Sequence, residues 1–269
     1  MKRTPVLFIH GVWLRAQSWE PWVERFRSRG FHAVAPGWPG EADTVRGPSA
    51  SSPDARDGVG LDALIDHYAG IVRSFGTAPV VVGHSVGGLI AQHLVAAGVG
   101  RAAVAISPAP VNGVPLPALP ARLTCPVRHG RAGRSVCLSP EEFRHVFANT
   151  VAAEESGRLY KRYVVPAPAR LLTDLGYGGA VRSPRAVADV GNAGRGPLLL
   201  VSGQEDRLVP DAATRAVYKQ YGDTTAVTDL KQFADRAHSL VIDGGWRSVA
   251  DHVLVWLSER GVRARAVER

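Results

Sequence analysis

A short glycine-rich segment, Gly83-His84-Ser85-Val86-Gly87, has the residue types that place a reactive serine on a sharp turn. The apolar run 79–82 precedes it, and a helical pattern follows it over residues 88–94. A Gly-x-Ser-x-Gly motif between a strand and a helix is typical of a nucleophile elbow, which exposes the serine Oγ at the end of the strand. The outer glycines are needed because side chains there would collide across the turn. The motif therefore predicts Ser85 as a nucleophile.

A serine nucleophile needs a base within hydrogen-bond reach, and the base needs a group that orients it. Where such an elbow occurs, the acid and then the histidine follow the serine along the chain. Glu205 and Asp206 come just after the apolar run 198–201. Asp206 begins an Asp-x-x-Val-Pro segment, which is the usual form of such an acid loop, so it is the predicted acid and Glu205 is the alternative. Asp211 is assigned to the start of the next helix.

Nine histidines compete for the role of the base. Among them, only His238 lies in a loop between a predicted strand and a predicted helix after the acid. His10 and His84 lie beside the predicted site, where we expect structural roles. The others fall in strand or helix patterns or between residues 110 and 195. His238 is therefore the predicted general base.

Acyl transfer also needs two backbone N–H groups directed at the developing oxyanion. One is expected from Val86, because it follows the serine at the N-terminus of a helix whose dipole favours negative charge. The other is expected from the turn after the first strand, in the segment His10-Gly11-Val12-Trp13. Val12 is the predicted donor of this second hydrogen bond, and Trp13 is the alternative.

The rest of the chain alternates short apolar runs with amphipathic helical patterns, which predicts an α/β fold with a mostly parallel, doubly wound sheet. The alternation breaks over residues 110–195, so we predict a core of residues 1–109 and 196–269 and a helical cap insertion at 110–195. Inside the insertion, Ser139-Pro140-Glu141-Glu142 predicts a helix N-terminus with a capping box, and residues 154–163 predict a second helix. The predicted strands are residues 6–9, 33–35, 80–82, 102–106, 198–201 and 226–233, and the predicted helices are residues 19–29, 61–75, 86–97, 212–221 and 246–260.

The composition is typical of a soluble globular protein, with 45% hydrophobic and 21% charged residues among 269. The net charge of +8 comes from scattered basic residues without a nucleic-acid-binding motif. Cys125 and Cys137 are too few for a disulfide framework and lack metal-ligand spacing. The apolar run 6–9 is too short for a signal peptide, and the apolar stretch 78–100 contains polar residues. We therefore expect a cytoplasmic protein with no nucleic-acid partner, no membrane partner and no metal. The polar stretch 43–60 predicts a mobile loop, and a homodimer is left open.

The motifs resemble those of the α/β-hydrolase superfamily in their order and strand context. The matching segments are His10-Gly11, Gly83-His84-Ser85-Val86-Gly87-Gly88, the Asp206 loop and the His238 loop. The resemblance covers essentially the whole chain, with residues 110–195 as the family's cap. It implies a sheet of up to eight strands, a Ser-His-Asp triad and no cofactor. The chain lacks room for the family's first two strands, so we expect about six. A serine nucleophile argues against the haloalkane-dehalogenase and epoxide-hydrolase branches, which carry aspartate there.

These features predict a serine hydrolase that acts on a small hydrophobic ester or lactone. Trp13 and Trp38 are the predicted substrate-binding side chains of an apolar pocket. Because one fold can support many functions, three alternatives remain open. The first is a hydrolase of C–C bonds with the same triad, and the second is a cofactor-independent dioxygenase in which a His-Asp pair deprotonates an aromatic substrate. The third is a non-catalytic ligand receptor.

Overall fold

The computed structural model describes residues 3–41, 58–116, 135–177 and 180–264. Its strands, in chain order, are β1 (Pro5–Ile9), β2 (His32–Val34), β3 (Val80–His84), β4 (Ala102–Ile106), β5 (Ser135–Val136), β6 (Ala167–Pro168), β7 (Leu198–Gly203) and β8 (Thr228–Phe233). Six of them form one sheet in the order β2-β1-β3-β4-β7-β8, with parallel pairing throughout. Strands β5 and β6 form a separate antiparallel pair. The predicted parallel sheet of six strands is confirmed.

Helices cover both faces of this sheet, as expected for a doubly wound fold. They are α1 (Glu20–Ser28), α2 (Leu61–Ser74), α3 (Val86–Ala96), α4 (Pro140–Glu142), α5 (Ala153–Tyr163), α6 (Ala169–Asp174), α7 (Asp211–Gln220) and α8 (Trp246–Glu259). Helices α1 and α8 share one face, where the rings of Trp22 and Trp246 lie 6.1 Å apart. Because parallel crossovers are right-handed, the connections through α2, α3 and α7 run over the opposite face.

The core between the sheet and α1 is built from aromatic side chains. The ring of Phe8 on β1 lies 5.0 Å from that of Trp19 and 5.1 Å from that of Phe26. Trp19 also packs edge-on against Trp22 at 5.1 Å. All four side chains are fully buried. This accords with the helical pattern around Trp19 and Trp22, which favours packing roles for both.

The observed elements agree closely with those predicted from hydrophobic periodicity. Three strands differ from their predicted bounds by two residues: β3 and β7 extend two residues further, to His84 and Gly203, and β8 begins at Thr228 rather than at residue 226. Strand β2 is shifted by one residue toward the N-terminus, to His32–Val34. In β3 and β7 the ladder continues past the apolar run into the residues that follow it. Strands β2 and β8 are edge strands with a neighbour on one side only. Their ends are therefore less strongly set by burial and ladder hydrogen bonds than the ends of the buried central strands.

The segment between β4 and β7 contains the helices predicted for it. At the start of α4, Glu142 N donates to Ser139 Oγ (3.2 Å) and Ser139 N donates to Glu142 Oε2 (2.7 Å), which confirms the capping box. Helix α4 continues directly into a π-helical turn, Phe143–Phe147. Helix α5 is the second predicted helix. The division of the chain into a core and a cap stays a prediction.

Several predictions concern the chain as a whole. Within the described ranges, no helix combines the length and apolar character required to cross a membrane. In the same ranges, His, Cys, Asp and Glu side chains form no group of three that could hold a metal ion. Cys137 is half-buried. Cys125 and residues 43–57 of the polar stretch lie outside the described residues.

Candidate active site

Ser85 lies at the junction of β3 and α3 with a φ of 55° and a ψ of −119°. Positive φ is uncommon for a residue other than glycine and stores strain that the surrounding structure must maintain. The turn leaves no room for side chains on either side of the serine. A Cβ added to Gly83 would lie 1.9 Å from Gly87 O, and one added to Gly87 would lie 2.2 Å from Ile9 O. The structure therefore contains the sharp, strained turn that the motif predicts.

Asp206 and His238 form a buried hydrogen-bonded pair at the ends of β7 and β8. The Nδ1–H of His238 donates to Asp206 Oδ2 at 2.7 Å. The other carboxylate oxygen, Oδ1, accepts from Leu208 N at 2.9 Å and from Val209 N at 2.8 Å. These two backbone donors fix the orientation of the carboxylate. The carboxylate in turn selects the imidazole tautomer with Nδ1 protonated, which leaves Nε2 available to accept a proton.

His84 holds the His238 loop against the turn that carries Ser85. The Nε2–H of His84 donates to His238 O at 3.0 Å, and the two imidazole rings lie 4.5 Å apart. Ser85 follows His84 in the chain, so this contact holds the His238 loop next to the turn that carries the serine. The Oγ of Ser85 makes no hydrogen bond to any described residue. Catalytic hydrogen bonds of this kind often form fully only when substrate is bound.

The backbone N–H groups of Val12 and Val86 have no acceptor among the described residues, and neither has that of Trp13, the alternative donor. Val86 is the first residue of α3, where the helix dipole adds partial positive charge. Val12 belongs to the turn that follows β1. A Cβ added to Gly11 in that turn would lie 2.7 Å from Ser85 Cβ, so the turn passes directly beside the serine. Both predicted oxyanion donors are therefore available.

A family model described as "Alpha/beta hydrolase family" matches residues 6–261. The chain belongs to the α/β-hydrolase family. No protein with a curated description matches the sequence.

Several solved structures resemble this one along nearly their whole length. A methylesterase from Arabidopsis has a TM-score of 0.67 at 15% identity, covering 95% of this chain and 99% of its own. A monoacylglycerol lipase from Paleococcus ferrophilus has a TM-score of 0.68 at 20% identity, covering 95% and 94%. A pyrethroid hydrolase from Sphingobium faniae has a TM-score of 0.63 at 16% identity, covering 95% and 97%. At these identities the likeness shows a common fold.

The two tryptophans predicted to bind substrate in this α/β hydrolase are both held by protein contacts. Trp13 has a φ of 63°, its Nε1–H donates to Val136 O at 3.1 Å, and its carbonyl accepts from Val165 N at 2.9 Å. It therefore joins the turn after β1 to the segment between β4 and β7. Trp38 stacks on the ring of His10 at 4.6 Å. Both are 3% exposed, and their contact with a substrate stays a prediction.

Two aromatic side chains that were not predicted from the sequence lie near the histidine of this α/β hydrolase: Phe147 contacts its ring, and Phe143 packs on Phe147. The ring of Phe147 meets that of His238 edge-on at 4.8 Å and stacks on Phe143 at 5.0 Å. Both phenylalanines come from the π-helical turn, a feature that is frequent at functional sites. Tyr177 also lies within electrostatic reach of the acid: loss of solvent raises the pKa of its hydroxyl, and the charge of Asp206 adds to the shift. The i, i+4 spacing of the two phenylalanines signals a common helical face, but no sequence signal identifies what that face covers.

The buried environment of His84 predicts a measurable effect of pH on stability. Burial lowers the pKa of this imidazole well below its usual value of 6.5, and the neighbouring His238 lowers it further. As the pH falls through about 6.5, the imidazole of His84 is therefore protonated in the unfolded chain but not in the folded chain. The free energy of unfolding should then fall as the pH drops below this value, by at most about 1.4 kcal/mol per pH unit for this one group.

We expect His84→Gln to remove this part of the pH dependence, because its amide can still donate to His238 O but does not titrate. Urea unfolding at pH 7 and pH 5, performed on the wild type and the variant, measures the difference. A variant that loses as much stability on acidification as the wild type would show that His84 is protonated equally in both states.

Proposed function

We propose that this chain is a serine hydrolase that cleaves a small hydrophobic ester or lactone through an acyl-enzyme. The observation that carries the proposal is the 2.7 Å hydrogen bond between Asp206 and His238, held beside the strained turn of Ser85. A serine on such a turn, a histidine with an oriented and unprotonated Nε2, and a buried acid together have the chemistry required for acyl transfer.

In the proposed mechanism, Ser85 Oγ attacks the ester carbonyl carbon while His238 Nε2 accepts the hydroxyl proton. The backbone N–H groups of Val86 and Val12 donate to the oxyanion of the tetrahedral intermediate. His238 then gives the proton to the departing alkoxide, and the acyl group remains on the serine. A water molecule, deprotonated by the same imidazole, releases the acid. Asp206 stays ionised throughout and stabilises the imidazolium.

The substrate class is inferred from the surroundings of the histidine and from the neighbouring folds. Phe147 presents apolar surface to His238 at a ring distance of 4.8 Å, and Phe143 stacks on Phe147. Both phenylalanines are fully buried. Such surface favours a hydrophobic acyl or alcohol group. The similar solved structures include a methylesterase and a monoacylglycerol lipase. We therefore favour an ester over a peptide or a phosphate, with residues 110–195 as the cap that covers the site.

The test uses p-nitrophenyl esters of increasing acyl length, followed by labelling with a fluorophosphonate. We expect steady release of p-nitrophenol and a single phosphonyl adduct that maps to Ser85 by peptide mass spectrometry. Absence of both turnover and adduct would contradict the proposal. In that case, oxygen uptake with a heteroaromatic substrate would indicate dioxygenase chemistry. Binding without turnover of any kind would indicate a ligand receptor.

A further inference from the structure

A buried carboxylate, that of Glu41, joins the turn after β1 to the chain that follows β2. Its side chain is 4% exposed. Oε1 accepts from Ala16 N at 2.9 Å, and Oε2 accepts from Trp38 N at 3.1 Å and from the His10 ring at 3.0 Å. Gly37 provides the space, since a Cβ there would lie 2.7 Å from Glu41 Cβ. A buried carboxylate with several donors is rigidly oriented, so it can orient what it binds.

His10 connects this carboxylate to the backbone beside Ser85. Its ring is fully buried, stacks on Trp38 with 17° between the planes, and has both nitrogens close to oxygen atoms. Nε2 lies 3.0 Å from Glu41 Oε2, and Nδ1 lies 2.9 Å from Gly11 O. A carbonyl oxygen can only accept, so Nδ1 must carry a proton. A second proton must then lie between Nε2 and the carboxylate, because two bare lone pairs would repel each other there.

The carbonyl that His10 binds belongs to the same peptide group as the Val12 N–H. Because a peptide group is planar, fixing the Gly11 carbonyl also fixes the direction of the Val12 N–H. Gly11 O accepts a second, longer bond from Leu14 N at 3.4 Å, so it is held from two sides. Hydrogen bonds also polarise one another, so a bond accepted by the carbonyl strengthens the N–H as a donor.

We propose that Glu41 is a positioning residue that acts through His10 to orient and polarise the Gly11–Val12 peptide as an oxyanion donor. The inference rests on the proposed hydrolase function, because the tetrahedral intermediate of ester cleavage places its oxyanion at this donor. Glu41 touches neither the nucleophile nor the histidine base. Its effect should therefore appear in the stabilisation of the tetrahedral state and not in the binding of the ester.

The test is Glu41→Gln, measured with a p-nitrophenyl ester and with an alkylboronic acid that forms a tetrahedral adduct on Ser85. Loss of one complete oxyanion donor costs about 10²- to 10³-fold in kcat, and a weakened donor should cost about 10- to 50-fold. We expect that loss in kcat, an equal loss of boronate affinity and a KM within about twofold of the wild type, as expected when only transition-state stabilisation is removed. Asp229→Asn is the matched control. Asp229 lies on the edge strand β8, and its carboxylate also accepts from two donors, Trp256 Nε1 and the Arg260 side chain.

Every outcome of these measurements either supports the role of Glu41 or overturns it. A folded Glu41→Gln protein with wild-type kcat and boronate affinity, or with a raised KM alone, overturns it. If this variant does not fold, His10→Gln is measured in the same way, and the same separation of kcat from KM is required. A wild type that neither turns over esters nor accepts a fluorophosphonate overturns the proposed function and this inference together. An active wild type with unaffected variants overturns only the role of Glu41.

Discussion

Replacement of Ser85 by alanine should lower kcat for p-nitrophenyl ester hydrolysis by about 10⁴- to 10⁶-fold, the range seen when a triad nucleophile is removed. Alanine keeps the backbone of the turn but lacks the oxygen that forms the acyl-enzyme. The free N–H groups of Val12 and Val86 remain, so a small residual rate above the uncatalysed reaction is expected. The variant should also show no phosphonyl adduct after treatment with a fluorophosphonate.

This result would be specific only if the variant folds. The strained φ of 55° is as costly for alanine as for serine, and Ser85 Oγ has no hydrogen bond to a described residue, so the unfolding midpoint should be unchanged. Ser248→Ala is the control, since the exposed hydroxyl of Ser248 on α8 donates a hydrogen bond only to Gly245 O. Near-wild-type turnover by Ser85→Ala would show that the serine is not the nucleophile and would favour chemistry based on the His-Asp pair alone.

Replacement of Asp206 by asparagine should lower kcat by about 10⁴-fold, equivalent to about 5.5 kcal/mol of activation free energy. The reason lies in which oxygen each donor uses. Leu208 N and Val209 N both donate to Oδ1, so the asparagine oxygen will remain with them. The amide nitrogen then faces His238 Nδ1, which must become an acceptor. The imidazole proton moves to Nε2, and the base can no longer accept a proton from the serine.

The neighbouring carboxylate provides the control for Asp206. Glu205 is exposed, and its hydrogen bonds to the rest of the protein are made by its backbone: its N–H donates to Arg236 O at 3.0 Å, and its oxygen accepts from Asn149 Nδ2 at 2.9 Å. Glu205→Gln should therefore retain wild-type kcat and KM. Steady-state kinetics of both variants between pH 6 and pH 9 make the comparison. If Glu205→Gln lost activity while Asp206→Asn kept it, the acid would have to be reassigned to Glu205.

The fold could be predicted well because its signals are local. Each central strand is a short apolar run buried on both faces, so periodicity and length identify it without knowledge of its neighbours. The capping box at Ser139 is likewise a short-range pattern of hydrogen bonds within four residues. The edge strands β2 and β8 deviated because burial constrains their ends less, and β3 and β7 extended two residues past their apolar runs because the ladder continues into the residues that follow. The position of Ser85 on a sharp turn followed from the glycines around it, which are required by backbone contacts of 1.9 and 2.2 Å.

The candidate acid and base could be predicted for a related reason. In a parallel sheet, the carboxyl ends of all strands meet at one edge, so polar residues that follow β3, β7 and β8 must come close together. Asp206 and His238 are 32 residues apart, yet their place after neighbouring strands brings them to 2.7 Å. Strand order and loop position were sufficient for this inference.

By itself, the sequence determined the strand-turn-helix that carries Ser85, the succession of parallel strands and the loops that hold the acid and the histidine. Only the tertiary structure decided which side chains surround them. Phe147 reaches His238 from a π-helical turn, and Glu41 reaches the turn after β1 through His10. These contacts join segments whose relative placement depends on packing and not on local pattern. The type and spacing of a residue indicate which chemistry its side chain can perform. The partners of that side chain depend on how distant segments of the chain fold together.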